Sequence, residues 1–162
     1  MLLAIYTVIH VLISLVGIGS GFAVFYGLLA GRRTEGLTTL FLTTTVLTSL
    51  TGYGFPVHQL MPSHIVGAIS LVVLVIAIMA RRALRQTGRR RSTFIVTSAI
   101  AQYLNVFVLI IQSFEKVPAL KAAAPTQSEP PFVVVQVAVL AFFIVMTILA
   151  VRRFRPEPAH AV

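Results

Sequence analysis

The stretch Leu37–Phe55, LTTLFLTTTVLTSLTGYGF, decides how this chain is threaded. Its last five residues, Thr51–Phe55 (TGYGF), come close to TVGYG, the filter in which backbone carbonyls replace the water shell of a potassium ion. A filter lies in a re-entrant loop, so both flanks of the stretch would emerge on one face. That threading would put Arg32 and Arg33 on the opposite face from the six arginines between Arg81 and Ser92, against the charge rule for membrane topology. The motif also has one carbonyl layer fewer, and the run before it is long enough to span by itself. Gly52 and Gly54 instead read as the end of a helix, with Pro56 as its stop. The stretch is a spanning helix and not a channel filter.

Composition agrees with a lipid solvent. The 162 residues are 57% hydrophobic and 10% charged, against about 25% charged in a soluble domain. Cysteine is absent, which excludes disulfides, thiolate metal sites and cysteine nucleophiles. Tryptophan is absent too, so an interfacial aromatic belt must come from tyrosine and phenylalanine. The net charge of +9 sits in short clusters between apolar runs. Such clusters are topology signals and argue against a nucleic-acid surface.

Five apolar segments follow, over about 2–30, 37–55, 64–80, 94–114 and 132–151. A span needs about 20 residues, and the first segment, longer than that, is expected to tilt or protrude. It does not read as a signal peptide, because no basic region precedes it and no small-residue cleavage site is evident. Alternate connections hold 11 of the 13 basic residues, leaving only Lys116 and Lys121 for the other side. The fold expected is therefore an all-α, polytopic integral membrane helical bundle of five transmembrane helices, N-terminus outside and C-terminus cytoplasmic. It forms one domain over 1–155, with 156–162 a flexible cytoplasmic tail. The location expected is a bacterial inner membrane.

Polar residues inside the spans carry the information about function. His10, Ser14, Gly17 and Gly21 share one face of the first helix, and Gly17-xxx-Gly21 is a close-packing pattern. Ser98, Gln102, Asn105 and Gln112 share a face of the fourth helix, and Gln136 reaches the same level from the fifth. These residues read either as an interhelical hydrogen-bond ladder or as the wall of a polar pocket for a quinone, a small solute or water. The threonine cluster of the second helix reads as packing, since such hydroxyls bond back to carbonyls one turn earlier.

Three histidines, His10, His58 and His64, lie toward the outer side. His10 and His64, on different helices at similar depth, are candidate axial ligands of a b-type haem. With His58 they are a weaker candidate for copper or zinc. The opposing reading makes His58 and His64 helix-end residues and His10 a hydrogen-bonded seam residue. The Pro-rich loop Lys116–Pro131 reads as an ordered cap, a lid or a docking surface. Arg81, Arg82, Arg85, Arg89, Arg90 and Arg91 are candidate contacts for anionic phospholipid head groups. No metalloprotease, nucleophile-elbow or phosphate-loop motif occurs, Asp is absent and no Glu lies inside a span. Catalytic residues are thus not expected, and proton-coupled antiport is disfavoured.

The runs GYGFPVHQLMPSHIVGAISL (52–71) and AQYLNVFVLIIQSFEKVPALKAAAPTQSEPPF (101–132) resemble a group of small bacterial inner-membrane proteins, over about a third of the chain. The resemblance implies a compact helical membrane protein and carries no reaction or ligand. The function expected is a non-enzymatic accessory or small-ligand-binding membrane protein with an outward-facing polar pocket, with a membrane protein as partner. The alternatives are b-type haem electron transfer through His10 and His64 and, more weakly, small-solute transport.

Overall fold

The computed structural model describes residues 1–32, 34–55, 62–82 and 88–153. Six helices account for nearly all of them, with no strand among the described residues: α1 (Leu2–Leu29), α2 (Glu35–Gly52), α3 (Pro62–Arg82), α4 (Gly88–Lys116), the short α5 (Pro118–Ala123) and α6 (Pro130–Arg153). Four of them, α1, α3, α4 and α6, are long and apolar enough to cross a membrane. The fifth expected span, α2, falls short by composition, because seven threonines and Glu35 dilute its 18 residues.

The five long helices run antiparallel to their chain neighbours, and contacts at both ends fix their register. At one end the Tyr6 hydroxyl donates to the Thr51 carbonyl at 2.6 Å, and Tyr53 donates to the His64 carbonyl at 2.7 Å. At the other, Arg81 bonds the Glu35 carboxylate at 2.9 Å and the Thr39 hydroxyl at 2.8 Å. α2 therefore lies between α1 and α3, level with both. α4 packs on α3 and α6, and α6 returns to α1. All the described arginines gather at one end of the bundle. Lys116, Lys121, Glu115 and Glu129 lie at the other.

Packing is uneven along this axis. The core comprises Val24, Phe25 and Leu28 of α1, Phe41 and Leu42 of α2, Leu74, Ala77 and Ala80 of α3, and Phe94, Ile95, Ala99 and Ala101 of α4, with Ala150. Every one of these residues sits in the arginine-bearing half. In α4 six residues between Phe94 and Gln102 are buried, whereas all eleven from Tyr103 to Ser113 are part-exposed. Eleven residues make about three turns, so every face of α4 is reached there, including the face toward the bundle. No residue of α1 before Gly17 is buried. α6 touches its neighbours along a narrow seam of Gln136, Phe143 and Ala150, spaced by seven. Leu2, Met79 and Val134 are 83%, 66% and 64% exposed, an arrangement that suits lipid and not water.

The pin between α1 and α4 is a glycine–amide pair. Gln102, with no exposed surface, donates from Nε2 to the Ile18 carbonyl at 2.8 Å. Its amide fills the notch at Gly21, where a Cβ would overlap it. One turn away Gly17 faces Thr44, whose Oγ1 would stand 3.1 Å from an added Cβ. Gly19, on the same helix, faces open space. Gly21→Ala should therefore destabilise the protein by about 1–3 kcal/mol through overpacking. Gly19→Ala should be neutral or slightly stabilising, by up to about 1 kcal/mol of helix propensity. Thermal unfolding in detergent checks both, and equal effects would contradict the notch.

Candidate functional site

Two groups of polar residues lie in the half away from the arginines. The first is a rim where α1, α2 and α3 end. The helix of α2 closes at Gly52, with Tyr53 as its cap and Gly54 in the turn beyond. Gly54 is required there, because a Cβ would run into the Tyr6 hydroxyl. Phe55 then packs edge-on to both Tyr6 and His10, with ring centroids 5.0 and 5.1 Å apart.

The half-buried His10 has a defined tautomer. Its Nδ1 lies 2.7 Å from Thr51 Oγ1, which itself lies 2.7 Å from the Leu47 carbonyl. A carbonyl cannot donate, so the single threonine proton goes to Leu47 and the Thr51 oxygen accepts from His10. The network thus assigns the proton to Nδ1 and leaves Nε2 as the acceptor nitrogen of the neutral ring. His64 stacks on Tyr53 at 5.4 Å, on the α3 side of the same turn. The two histidines are therefore held by different partners, with the C-terminal turn of α2 between them. His58 lies outside the described residues. Among those residues no group of three or more His, Cys, Asp or Glu side chains comes together.

The second group is the amide face of α4. Its residues divide by depth. Ser98 and Gln102 are fully buried at the level where packing is tight. Asn105, one turn on, is part-exposed and donates to the buried Thr45 hydroxyl at 3.2 Å, tying α4 to α2. Gln112 is part-exposed nearer the end. Gln136 is buried, with a long bond to the Phe107 carbonyl at 3.4 Å. So Gln102, Asn105 and Gln136 tie three helices to α4 or to one another, while Asn105 and Gln112 also keep surface in the loosened half. Several buried polar atoms lack a hydrogen-bond partner: Thr48 Oγ1, Ser98 Oγ, Gln102 Oε1 and Gln136 Oε1. An aromatic cluster at mid-depth, Phe22, Tyr103, Phe107 and Phe143, marks the change from tight to loose packing.

Above α4 and α6 the Pro-rich connection is ordered. α5 starts on Pro118, and Gln127 donates from Nε2 to the Ile111 carbonyl at 3.1 Å. Glu129 stands just before α6 and braces the turn that leads into it. Its carboxylate accepts from the Thr126 hydroxyl at 2.8 Å and from the amides of Thr126 and Ser128, both at 3.1 Å. Slight desolvation, the largest single effect, raises the carboxyl pKa. The hydrogen bonds from Thr126, from its own amide and from Ser128 together outweigh it and hold the pKa below its ordinary value.

Sequence reasoning singled out the histidines and amides but missed Tyr6, Thr51 and Tyr53, which hold the rim. Comparison with protein-family models, with curated proteins and with solved structures found no match. The functional reading therefore rests on the chain's own residues.

Thr51→Val should leave the His10 Nδ1 proton without its acceptor and cost about 1–3 kcal/mol, read as a lower unfolding temperature in detergent. Nitrogen-15 spectra of neutral His10 should show the Nδ1–H form in the wild type, and an Nε2–H ring would refute the assigned network. Because Glu129 has a lowered folded pKa, its stabilisation of the turn is present above the unfolded carboxylate value. It is lost as pH falls through the folded one. The Thr126 and Ser128 amide resonances should move together in that acidic range and stay fixed in Glu129→Gln.

Proposed function

We propose that the chain is a five-pass membrane protein with its arginine-bearing end in the cytoplasm, which binds a small amphipathic ligand in the loosened outer half of the bundle, as a non-enzymatic accessory subunit of a bacterial inner membrane. Support for α2 as a span comes from its ties. Both its ends are hydrogen-bonded to the matching ends of α3, and its Thr51 end to the start of α1, so if those two cross the bilayer, α2 crosses with them. Its composition overstates its polarity, since Thr39, Thr44 and Thr51 donate to carbonyls four residues back at 2.9, 2.7 and 2.7 Å. Hydroxyls satisfied in this way tolerate lipid. Its 18 residues reach about 27 Å, close to a hydrocarbon core of about 30 Å.

The observation that carries the ligand reading is the part-exposure of α4 over Tyr103–Ser113 on all faces, with Asn105 and Gln112 among them. A helix surrounded by four others should bury one face there, as it does between Phe94 and Gln102. Space beside apolar side chains with a few amides suits a molecule with an apolar body and a hydrogen-bonding head.

Sidedness can be tested without background, since the chain has no cysteine. In intact spheroplasts Ser128→Cys should react with a membrane-impermeant maleimide, and Thr34→Cys should react only after permeabilisation. The reverse pattern would overturn the orientation. Ligand binding is tested by mild-detergent purification, solvent extraction and mass spectrometry. A stoichiometric amphipathic molecule that falls at least fivefold in Asn105→Leu is expected, and recovery of bulk lipids alone would contradict it. A reduced-minus-oxidised spectrum with a Soret band lost in His10→Ala and His64→Ala would instead favour haem.

A further inference from the structure

Hydrogen-bond donors and acceptors are unevenly spent in the half of the bundle away from the arginines. Around His10 the hydroxyl protons are committed to backbone carbonyls. Tyr6 donates to Thr51 at 2.6 Å, Ser14 to His10 itself at 2.7 Å, Thr51 to Leu47 at 2.7 Å and Tyr53 to His64 at 2.7 Å. The His10 Nδ1 proton goes to Thr51 Oγ1 at 2.7 Å. What remains is an acceptor, because Nε2 of the neutral ring carries a lone pair and no proton. No described residue bonds to it, and it is not among the enclosed atoms without partners, so it keeps accessible surface. The amides repeat the pattern. A carbonyl cannot donate, so the Ile18 and Phe107 carbonyls turn Nε2 of Gln102 and Gln136 toward themselves and leave each Oε1 unpartnered. Tyr103 and Gln112, part-exposed on α4, can donate or accept alike and express no preference.

His10 also stands at the level of the loosened stretch of α4. Ile18, which Gln102 binds, lies eight residues further along α1 (10 to 18), about 12 Å of helix. The matching step from Gln102 along the antiparallel α4 reaches Ile110, inside the part-exposed run Tyr103–Ser113. Lys116, at the end of α4, is within electrostatic reach of the ring. The ring is held in place by Thr51 at one nitrogen and by Phe55 packed against it at 5.1 Å. Its lone pair therefore has a fixed direction and a fixed hydrogen-bonding role.

We propose that the amphipathic ligand of the loosened half carries a hydroxyl that donates to His10 Nε2, so that the site takes an alcohol or phenol in preference to the ether, ketone or quinone of the same shape. This rests on the ligand reading given above and names the chemical class that fills the site. A carbonyl or ether oxygen would bring a second lone pair to that nitrogen and leave both unpaired, whereas a hydroxyl closes the bond. Thr51 is the positioning residue. By holding the ring proton on Nδ1 it keeps Nε2 an acceptor.

The test uses the full chain, labelled with nitrogen-15 histidine, in phosphatidylcholine nanodiscs titrated with decylphenol, its methyl ether, farnesol or farnesyl methyl ether. Each ether keeps the shape and the oxygen of its partner and lacks only the donor. Loading is read as mole fraction in the bilayer, which removes differences in partitioning. A hydroxyl probe should move the His10 Nε2 resonance upfield and saturate, and its ether should need about tenfold more, the value of one lost hydrogen bond. Tighter binding of decylphenol would mark a phenolic head group, and tighter binding of farnesol an isoprenoid alcohol. In Thr51→Val the ring can carry its proton on Nε2, and the hydroxyl-to-ether ratio should fall to about twofold or less. His10→Phe should abolish the preference; if that variant does not fold, the Nε2 shift of the wild type decides. Equal binding of hydroxyl and ether with Nε2 unmoved would overturn the hydroxyl inference and leave the ligand site of Asn105 and Gln112 standing. No saturable response to any of the probes would contradict the ligand reading itself. An Nε2 resonance already at its hydrogen-bonded position, and unmoved by every probe, would show water there and overturn the proposal too.

Discussion

The bond from the Gln102 amide to the Ile18 carbonyl, seated in the notch of Gly21, is the interaction on which the rest of the bundle depends. In lipid, apolar side chains gain little by leaving their surroundings for one another, so helices associate through close packing and a few polar ties. Gln102 supplies both. It joins α1, the most peripheral helix at its outer half, to α4, the most buried, and it stands where dense packing ends. Below it the phenylalanines and alanines of five helices interlock. Above it the ties are Asn105 on Thr45, Gln136 on the Phe107 carbonyl, Ser49 on Ser70 and the rim contacts of Thr51 and Tyr53.

That division gives the two ends different characters. The arginine end is densely packed and carries the described arginines. The other end is less tightly packed along α4, with Tyr6, His10 and Phe55 in contact at its edge and an ordered connection that Gln127 and Glu129 hold in place. On the proposed reading, the less tightly packed half is where a ligand would enter.

Much of this was legible in the residues. The helices follow from apolar runs, and the clustering of arginines between alternate runs foretells that they meet at one end. The glycine stripe of α1 is visible as a spacing, though only the structure shows that Gly17 answers a threonine and Gly21 an amide. α2 reads as a span with hydroxyls bonded back one turn; Thr39, Thr44 and Thr51 do bond so, yet seven threonines and Glu35 leave the helix less apolar than the other four long ones. The rim was not legible at all: Tyr6, Thr51 and Tyr53 act across 45, 41 and 11 residues of separation, and no local pattern announces such pairs. The loosening around α4 was equally hidden, since the amide face has the same spacing in the packed half as in the open one.

The central claim is that the environment of α4 changes at Gln102, and a spin-label scan from Ile95 to Ser113 in proteoliposomes tests it most directly. Labels at the inner positions Ile95, Ser98 and Gln102 should be immobile and shielded from both oxygen and water-soluble relaxants. Labels at Asn105, Leu109 and Gln112, on the continuation of that face, should be mobile and accessible. If those three are as immobile and shielded as the first three, α4 is packed along its whole length and the outer half has no room for a ligand.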